Sequence, residues 1–234
     1  MTIRPYPSAT VVRRCGLAAV VLGIASIVLA PLNALARMQT ESGRSDMENP
    51  FASWWAEPAM HTLSPWLLDF ADTQTVYLTY GKFYLLAVLA VLACAFAARS
   101  RRPAGVGWVE RWGWRLTIGS YALMCVGHVG GYWLAITESG YTVILVAMAI
   151  GIFGNVLLGI GLIRNGFRPR LAAWVILLDL PLSIALVSIS TQALGMWPMM
   201  FAWGLIGWSL WRHGGESVVL DESLTREVSA AQRS

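Results

Sequence analysis

Six long apolar stretches alternate with polar gaps along this 234-residue chain. They lie near 16–36, 76–98, 116–136, 142–163, 171–190 and 196–211. Most are close to the roughly 20 residues that a helix needs to cross a bilayer. Inside hydrocarbon every backbone N–H and C=O must be satisfied within its own segment, so each stretch is predicted to be a helix. The pattern predicts an all-α, polytopic transmembrane bundle of six spans. Asp72 stands where it can cap the second span. The expected organisation is a short N-terminus (1–15), a membrane domain (16–214) with one sizeable loop (37–75), and a disordered tail (215–234).

Charge orients this frame. Arg4, Arg13 and Arg14 precede the first span. Arg99, Arg101, Arg102, Arg111 and Arg115 fill the second gap, and Arg164, Arg168 and Arg170 the fourth. Arg212, Arg226 and Arg233 follow the sixth span. All fourteen fall on one side, against Arg37, Arg44 and Lys82 on the other. The second side carries Glu41, Asp46, Glu48, Glu57, Asp69, Asp72 and Glu138. The positive-inside rule then places both termini in the cytoplasm, in a bacterial inner membrane. Sorted this way, Asp179 is the one acid left within a span.

Composition agrees with a membrane chain. Charged residues make up 13% and apolar residues 56%, whereas a soluble domain carries about 25% charged residues. Six spans leave too little chain for a separate soluble domain. Lys82 is the only lysine, an arginine bias typical of high-GC bacterial genomes. The basic residues suit anionic lipid headgroups, so the expected partner is the lipid bilayer and not nucleic acid. Tryptophans gather at both boundaries, as in aromatic belts; only Trp203 falls within a span. Cys15, Cys94 and Cys125 lie outside the outer loop, and no disulfide is expected.

A rival reading concerns residues 1–36. Arg13-Arg14, an apolar run and Ala34-Leu35-Ala36 resemble a signal peptide with a cleavage site, which would leave five spans. The run is long for a signal sequence, which favours a retained span.

The 37–75 loop holds Pro50, Pro58, Pro65, Trp54, Trp55, Trp66 and His61. Ser64-Pro65 reads as an N-cap with proline at the first helical position. Short helices are expected here, either anchored at the interface or folded over the bundle mouth as a lid. His61 could be a ligand or base, although a lone surface histidine is more often neither.

The intramembrane polar residues carry the candidate chemistry. Asp179 falls about eight residues into the fifth span, roughly 12 Å deep. Ionisable groups at such depth face a bundle interior or a water-filled cavity. Pro181 removes the hydrogen bond to the Leu177 carbonyl and is expected to kink the helix. Ser183 and Ser190 continue the Asp179 face. Asn155 lies on a stripe with Ala147, Gly151 and Gly159, whose small residues allow close helix packing. An Asn155–Asp179 contact is expected between the fourth and fifth spans. His128 lies at about mid-depth in the third span, a turn or so outward of Asp179, with Gly119, Gly127 and Gly131 as a second small-residue face. His128, Asn155, Asp179 and Ser183 could form a polar centre that relays protons or solutes; equally, they could simply bond helices together. Ala19, Gly23, Ser26, Ala30 and Asn33 read as a packing face of the first span. Met196, Met199 and Met200 read as gap-fillers, with a metal path as the weaker alternative.

Several classes recede. Bis-histidine haem needs a second membrane histidine. No HExxH zinc motif, Walker A loop or GxSG serine occurs. No cofactor and no metal is expected. The turn with Arg164, Gly166, Pro169 and Arg170, between Gly159 and Trp174, resembles uncharacterised multi-span bacterial integral membrane proteins of unknown function. That resemblance implies no activity and assigns no site residues. Three functions follow as expectations: a transporter-like or permease-like component centred on Asp179; a non-catalytic subunit or sensor packing against a membrane partner or a second copy; or a small membrane enzyme using Asp179 and His128.

Overall fold

The computed structural model describes residues 7–103, 105–190 and 193–214. Arg4, Arg226, Arg233 and the expected tail at 215–234 lie outside the described residues. Among the described residues all regular structure is helical. In chain order the helices are α1 (Ala9–Gln39), α2 (Pro50–Leu63), α3 (Thr73–Ser100), α4 (Trp108–His128), α5 (Thr137–Arg164), α6 (Arg170–Leu177), α7 (Asp179–Ile189) and α8 (Trp197–His213). A 3-10 turn, Glu41–Glu48, leads into α2, and π-turns follow α2 (Ser64–Leu68) and α4 (Val129–Trp133).

Local chemistry sets the helix ends. The Asp72 carboxylate accepts the Thr75 amide at 3.0 Å and starts α3, as its position predicts. In the loop the cap is Asn49, which accepts the Phe51 amide at 3.0 Å ahead of Pro50. Ser64 is not the N-cap expected of it but the C-cap of α2. Its amide bonds back to Met60, ending α2, and its hydroxyl donates to Asp69. The loop thus holds three short helical pieces, of which α2 buries Ala52 and Ala56 over Leu35, Leu68 and Val76.

α1, α3 and α5 are each long and apolar enough to cross a membrane, and the α6–α7 pair makes a fourth candidate if taken as one bent span. α4 and α8 fall short for identifiable reasons. α4 opens on Glu110, Arg111 and Arg115 and yields to a π-turn, while α8 is 17 residues long and ends on Arg212 and His213. The fifth apolar stretch is not continuous. It breaks at Leu178, and α6 and α7 meet at 66°. The kink expected from Pro181 is thus a full break, placed where proline leaves the Leu177 carbonyl without its helical partner.

The chain crosses the bundle in alternating directions. At one end the Arg101 side chain donates to the Pro7 carbonyl, and Gly214 after α8 lies beside Arg13. At the other end Asn33 of α1 meets Tyr77 of α3, and the α2 cap meets the end of α7. The first is called the arginine-rich face and the second the loop face.

The central core joins α1, α3, α4, α5, α6 and α8. Trp114, Trp203 and Tyr121 are its largest buried side chains. The Trp203 indole donates to the Tyr121 hydroxyl at 2.8 Å. Outward faces are apolar: Ile24, Ile27 and Val28 of α1 and Phe153 of α5 are exposed. A surface of that kind suits lipid rather than water.

Hydrocarbon supplies little drive for apolar helices to associate, so close backbone approach matters. A side chain at Gly16 of α1 would collide with the Gly207 carbonyl of α8, and the reverse. Gly113 packs against the Leu158 backbone and Gly154 against Thr117, seating α4 along α5.

Candidate functional site

A cavity of about 470 Å³ lies between α4, α5 and α7, with parts of α1, α3 and α8 closing its far walls. From Asn155 to Tyr141 its α5 wall spans fifteen residues, roughly 20 Å at 1.5 Å per residue. Its lining is mostly aliphatic and aromatic, with polar groups gathered at each end.

The end nearer the arginine-rich face is built around Asp179. The break at Leu178 makes Asp179 the first residue of α7 rather than a mid-helix residue. Asn155 Nδ2 donates to Asp179 Oδ2 at 2.9 Å. Asn155 Oδ1 in turn accepts from Thr117 at 3.1 Å, and the Tyr121 hydroxyl stands at 3.5 Å. With the Trp203–Tyr121 bond, these contacts form a chain from indole to carboxylate. It holds Asn155 in one orientation and so fixes one oxygen of Asp179. The other oxygen, Oδ1, is buried and has no hydrogen-bond partner.

The loop-facing end holds His128. Its Nδ1 lies 2.7 Å from the Met124 carbonyl one turn back. The ring sits among tyrosines, 6.0 Å from Tyr84 and 5.7 Å from Tyr132 by ring centre. The Tyr132 hydroxyl meets that of Tyr77 at 3.3 Å, and its ring lies over Gly81. Arg37 also lines this end, with Nε 2.9 Å from Asp46.

The expected polar centre therefore divides. Asn155 and Asp179 come together. His128 lines the same cavity but makes no hydrogen bond to either, because its nitrogen turns to its own helix. Ser183 also lines the cavity, while its hydroxyl donates to the Gly195 carbonyl at 2.7 Å. Ser190 bonds the Leu186 carbonyl. His61 is exposed on α2. Met196 and Met199 line the cavity, and Met199 and Met200 are buried.

The predicted packing glycines also separate. Gly151 faces Ser120, Gly159 faces the Leu177 backbone, and Gly127 faces Ile144 and the Gly140 carbonyl. Gly131 has room for a side chain of its own, yet Gly140 rests on its backbone. Gly119 faces open space and is no part of that contact. Of the first-span face, Ala19, Ser26, Ala30 and Asn33 are buried, and Gly23 approaches the Met200 carbonyl.

A second polar cluster escaped sequence reasoning. Glu110 sits in the first turn of α4 with 1% exposure. Arg102 grips it with two bonds, at 2.7 and 3.0 Å. The Trp114 indole donates at 3.1 Å, and Asn165 beyond α5 donates to the second oxygen. Burial pushes the Glu110 carboxyl up. The Arg102 guanidinium and the donated hydrogen bonds outweigh it, leaving the group below its ordinary value of 4.5. The pairing of Glu110 and Trp114 at four-residue spacing, eight residues after Arg102, was the available signal. This cluster lies ahead of the apolar stretch of α4 and ties the α3–α4 and α5–α6 turns together.

No protein-family model matches the sequence, and no curated protein or solved structure gives a significant match. Among the described residues no cluster of three or more histidine, cysteine or acidic side chains has metal-binding geometry.

Proposed function

We propose that this chain is a transporter-like or permease-like protein of the bacterial cytoplasmic membrane. In this reading α1, α3, α4, α5, the α6–α7 pair and α8 make six crossings, with both termini cytoplasmic. Arginine distribution supports that orientation. One observation carries the functional reading: Asp179, which lines a cavity of about 470 Å³, has a buried carboxylate oxygen without a partner. A carboxyl placed purely for packing would have both oxygens satisfied, because an unpaired buried polar atom costs about 1–3 kcal/mol. A volume of this size suits a small organic solute.

The two rival readings have less support. The subunit reading relied on small-residue faces, yet Gly127, Gly151 and Gly159 are occupied by neighbouring helices of the same chain. The enzyme reading paired Asp179 with His128, whose ring is engaged with Met124 and tyrosines.

The test is proton flux in proteoliposomes holding an entrapped pH-sensitive dye, under an imposed membrane potential. The wild-type protein should relax the gradient faster than empty vesicles. Asp179→Asn should reduce the rate to that of empty vesicles while keeping the wild-type elution profile and thermal transition. Equal flux in wild type, Asp179→Asn and Asp179→Leu would sink the reading.

A further inference from the structure

We infer that the cavity binds a lipophilic amine, an elongated apolar body carrying one protonated nitrogen, and that this ligand enters sideways from the bilayer. The inference deepens the transport reading and rests on the same cavity.

The head group follows from Asp179. Asp179 lines the cavity, and its Oδ1 is buried and lacks a donor. Asn155 supplies a single neutral hydrogen bond to the other oxygen. Among the described residues no arginine or lysine bonds to it: Arg37, which lines the cavity, lies at the loop-facing end and is paired with Asp46. An acid with half its acceptors empty and no cation beside it is completed by a ligand that brings both a donor and a positive charge. A protonated amine does both. A carboxylate or phosphate ligand would set like charges together. Tyr121, adjoining the Asp179 end, adds an aromatic ring of the sort that attracts cations.

The body follows from the remaining walls. Leu145, Met148 and Ile152 of α5 face Leu180, Ile184 and Val187 of α7 across the cavity. These walls offer an apolar body contact without asking for hydrogen bonds.

The route follows from α7. No residue from Asp179 to Ile189 is fully buried. Ile184 is 59% exposed, and Leu145, Met148 and Leu180 are exposed too, although all four line the cavity. A residue that both lines a cavity and faces outward marks its mouth. That mouth opens between α5 and α7, along the side of the bundle. The 66° break at Leu178 swings α7 away from α5 and creates it.

The experiment uses the full chain in lipid nanodiscs near neutral pH, with three probes sharing one body: phenylbutylamine, phenylbutanol and phenylbutyrate. Binding is read by ligand-detected NMR against empty nanodiscs. The amine should bind at least tenfold more tightly than the alcohol, and the carboxylate should bind weakest. Asp179→Asn should remove the preference of amine over alcohol while leaving alcohol binding unchanged. Ile184→Trp, an exposed substitution that leaves the core intact, should weaken all probes by obstructing the mouth. Equal binding of amine and alcohol to the wild type would overturn the inference without recourse to any variant. So would an amine preference that survives Asp179→Asn. The outcomes separate from the flux test: Asp179-dependent flux without amine preference defeats this inference alone, and amine preference without flux defeats transport alone.

Discussion

Asn155 holds one oxygen of Asp179 at 2.9 Å and leaves the other bare. The amide is itself held by Thr117. Asn155 is thus the positioning residue for the carboxylate, and it also links α4, α5 and α7. Asn155→Leu removes the donor and strands the Thr117 hydroxyl. A cost of about 1–3 kcal/mol is expected, since a buried group loses its partner. The check is the midpoint of thermal unfolding in mild detergent. Thr117→Val, which removes only the outer contact, should cost less than Asn155→Leu. Equal midpoints for wild type and Asn155→Leu would remove Asn155 from this role.

The Arg102–Glu110 pair predicts a pH dependence. Glu110 has a folded value depressed below its ordinary 4.5. Its contribution is therefore complete above that ordinary value and is lost as pH falls through the folded value. Glu110→Gln should destabilise the protein at neutral pH by about 3 kcal/mol, because Arg102 is left buried without its counter-charge. The gap in Tm between wild type and variant should hold steady from neutrality down to about pH 5 and then narrow. A gap that widens on acidification would contradict this assignment.

Gly16 and Gly207 predict a steric contrast. Each would drive a Cβ into the carbonyl of the other, where backbone cannot yield as a side chain can. Gly16→Leu should separate α1 from α8 and sharply reduce the yield of folded protein in size-exclusion profiles. Gly119→Leu, at a glycine that faces open space, should fold as the wild type does. Similar behaviour of the two variants would mean that the α1–α8 contact does not hold the bundle.

The far end of α7 is tied to α2. Asn49 Nδ2 donates to the Ser188 carbonyl at 2.8 Å, and the Trp55 indole donates to that of Ile189 at 3.2 Å. Trp55→Phe removes one tether and keeps an aromatic ring. Hydrogen–deuterium exchange should rise across 180–189 and stay unchanged in α4 and α5, because α7 adds no fully buried residue to the core. A rise spread evenly across all helices would point to general loosening instead.

Some of this site was legible from spacing. The four-residue stripe through Gly151, Asn155 and Gly159, with the matching depth of Asp179 across a short turn, anticipated a contact that lies at 2.9 Å. Pro181 marked the weak point of the fifth stretch, but not the 66° angle, which depends on what the two halves pack against. His128 lines the cavity, but spacing along α4 gave no sign that its Nδ1 lies against the Met124 carbonyl. The π-turn beyond it brings Tyr132 over Gly81. Glu110 was missed because α4 begins eight residues before its apolar stretch at Leu116. A charge read as belonging to a loop is in fact inside the fold. The Gly16–Gly207 contact joins positions almost two hundred residues apart, and local periodicity carries no sign of it.

The two long walls of the cavity differ in how freely their sequences can change. The α4–α5 wall is locked, since Gly113, Gly127 and Gly154 sit against backbone and accept no added atom without displacing a helix. Beyond Asp179, α7 up to Ile189 has no fully buried residue, so substitutions there disturb little packing and carry little thermodynamic penalty. Inheritance can therefore alter the width and polarity of this pocket along one helix while the architecture is held constant by the other. Diversification of the accepted molecule then calls for no compensating change elsewhere in the protein.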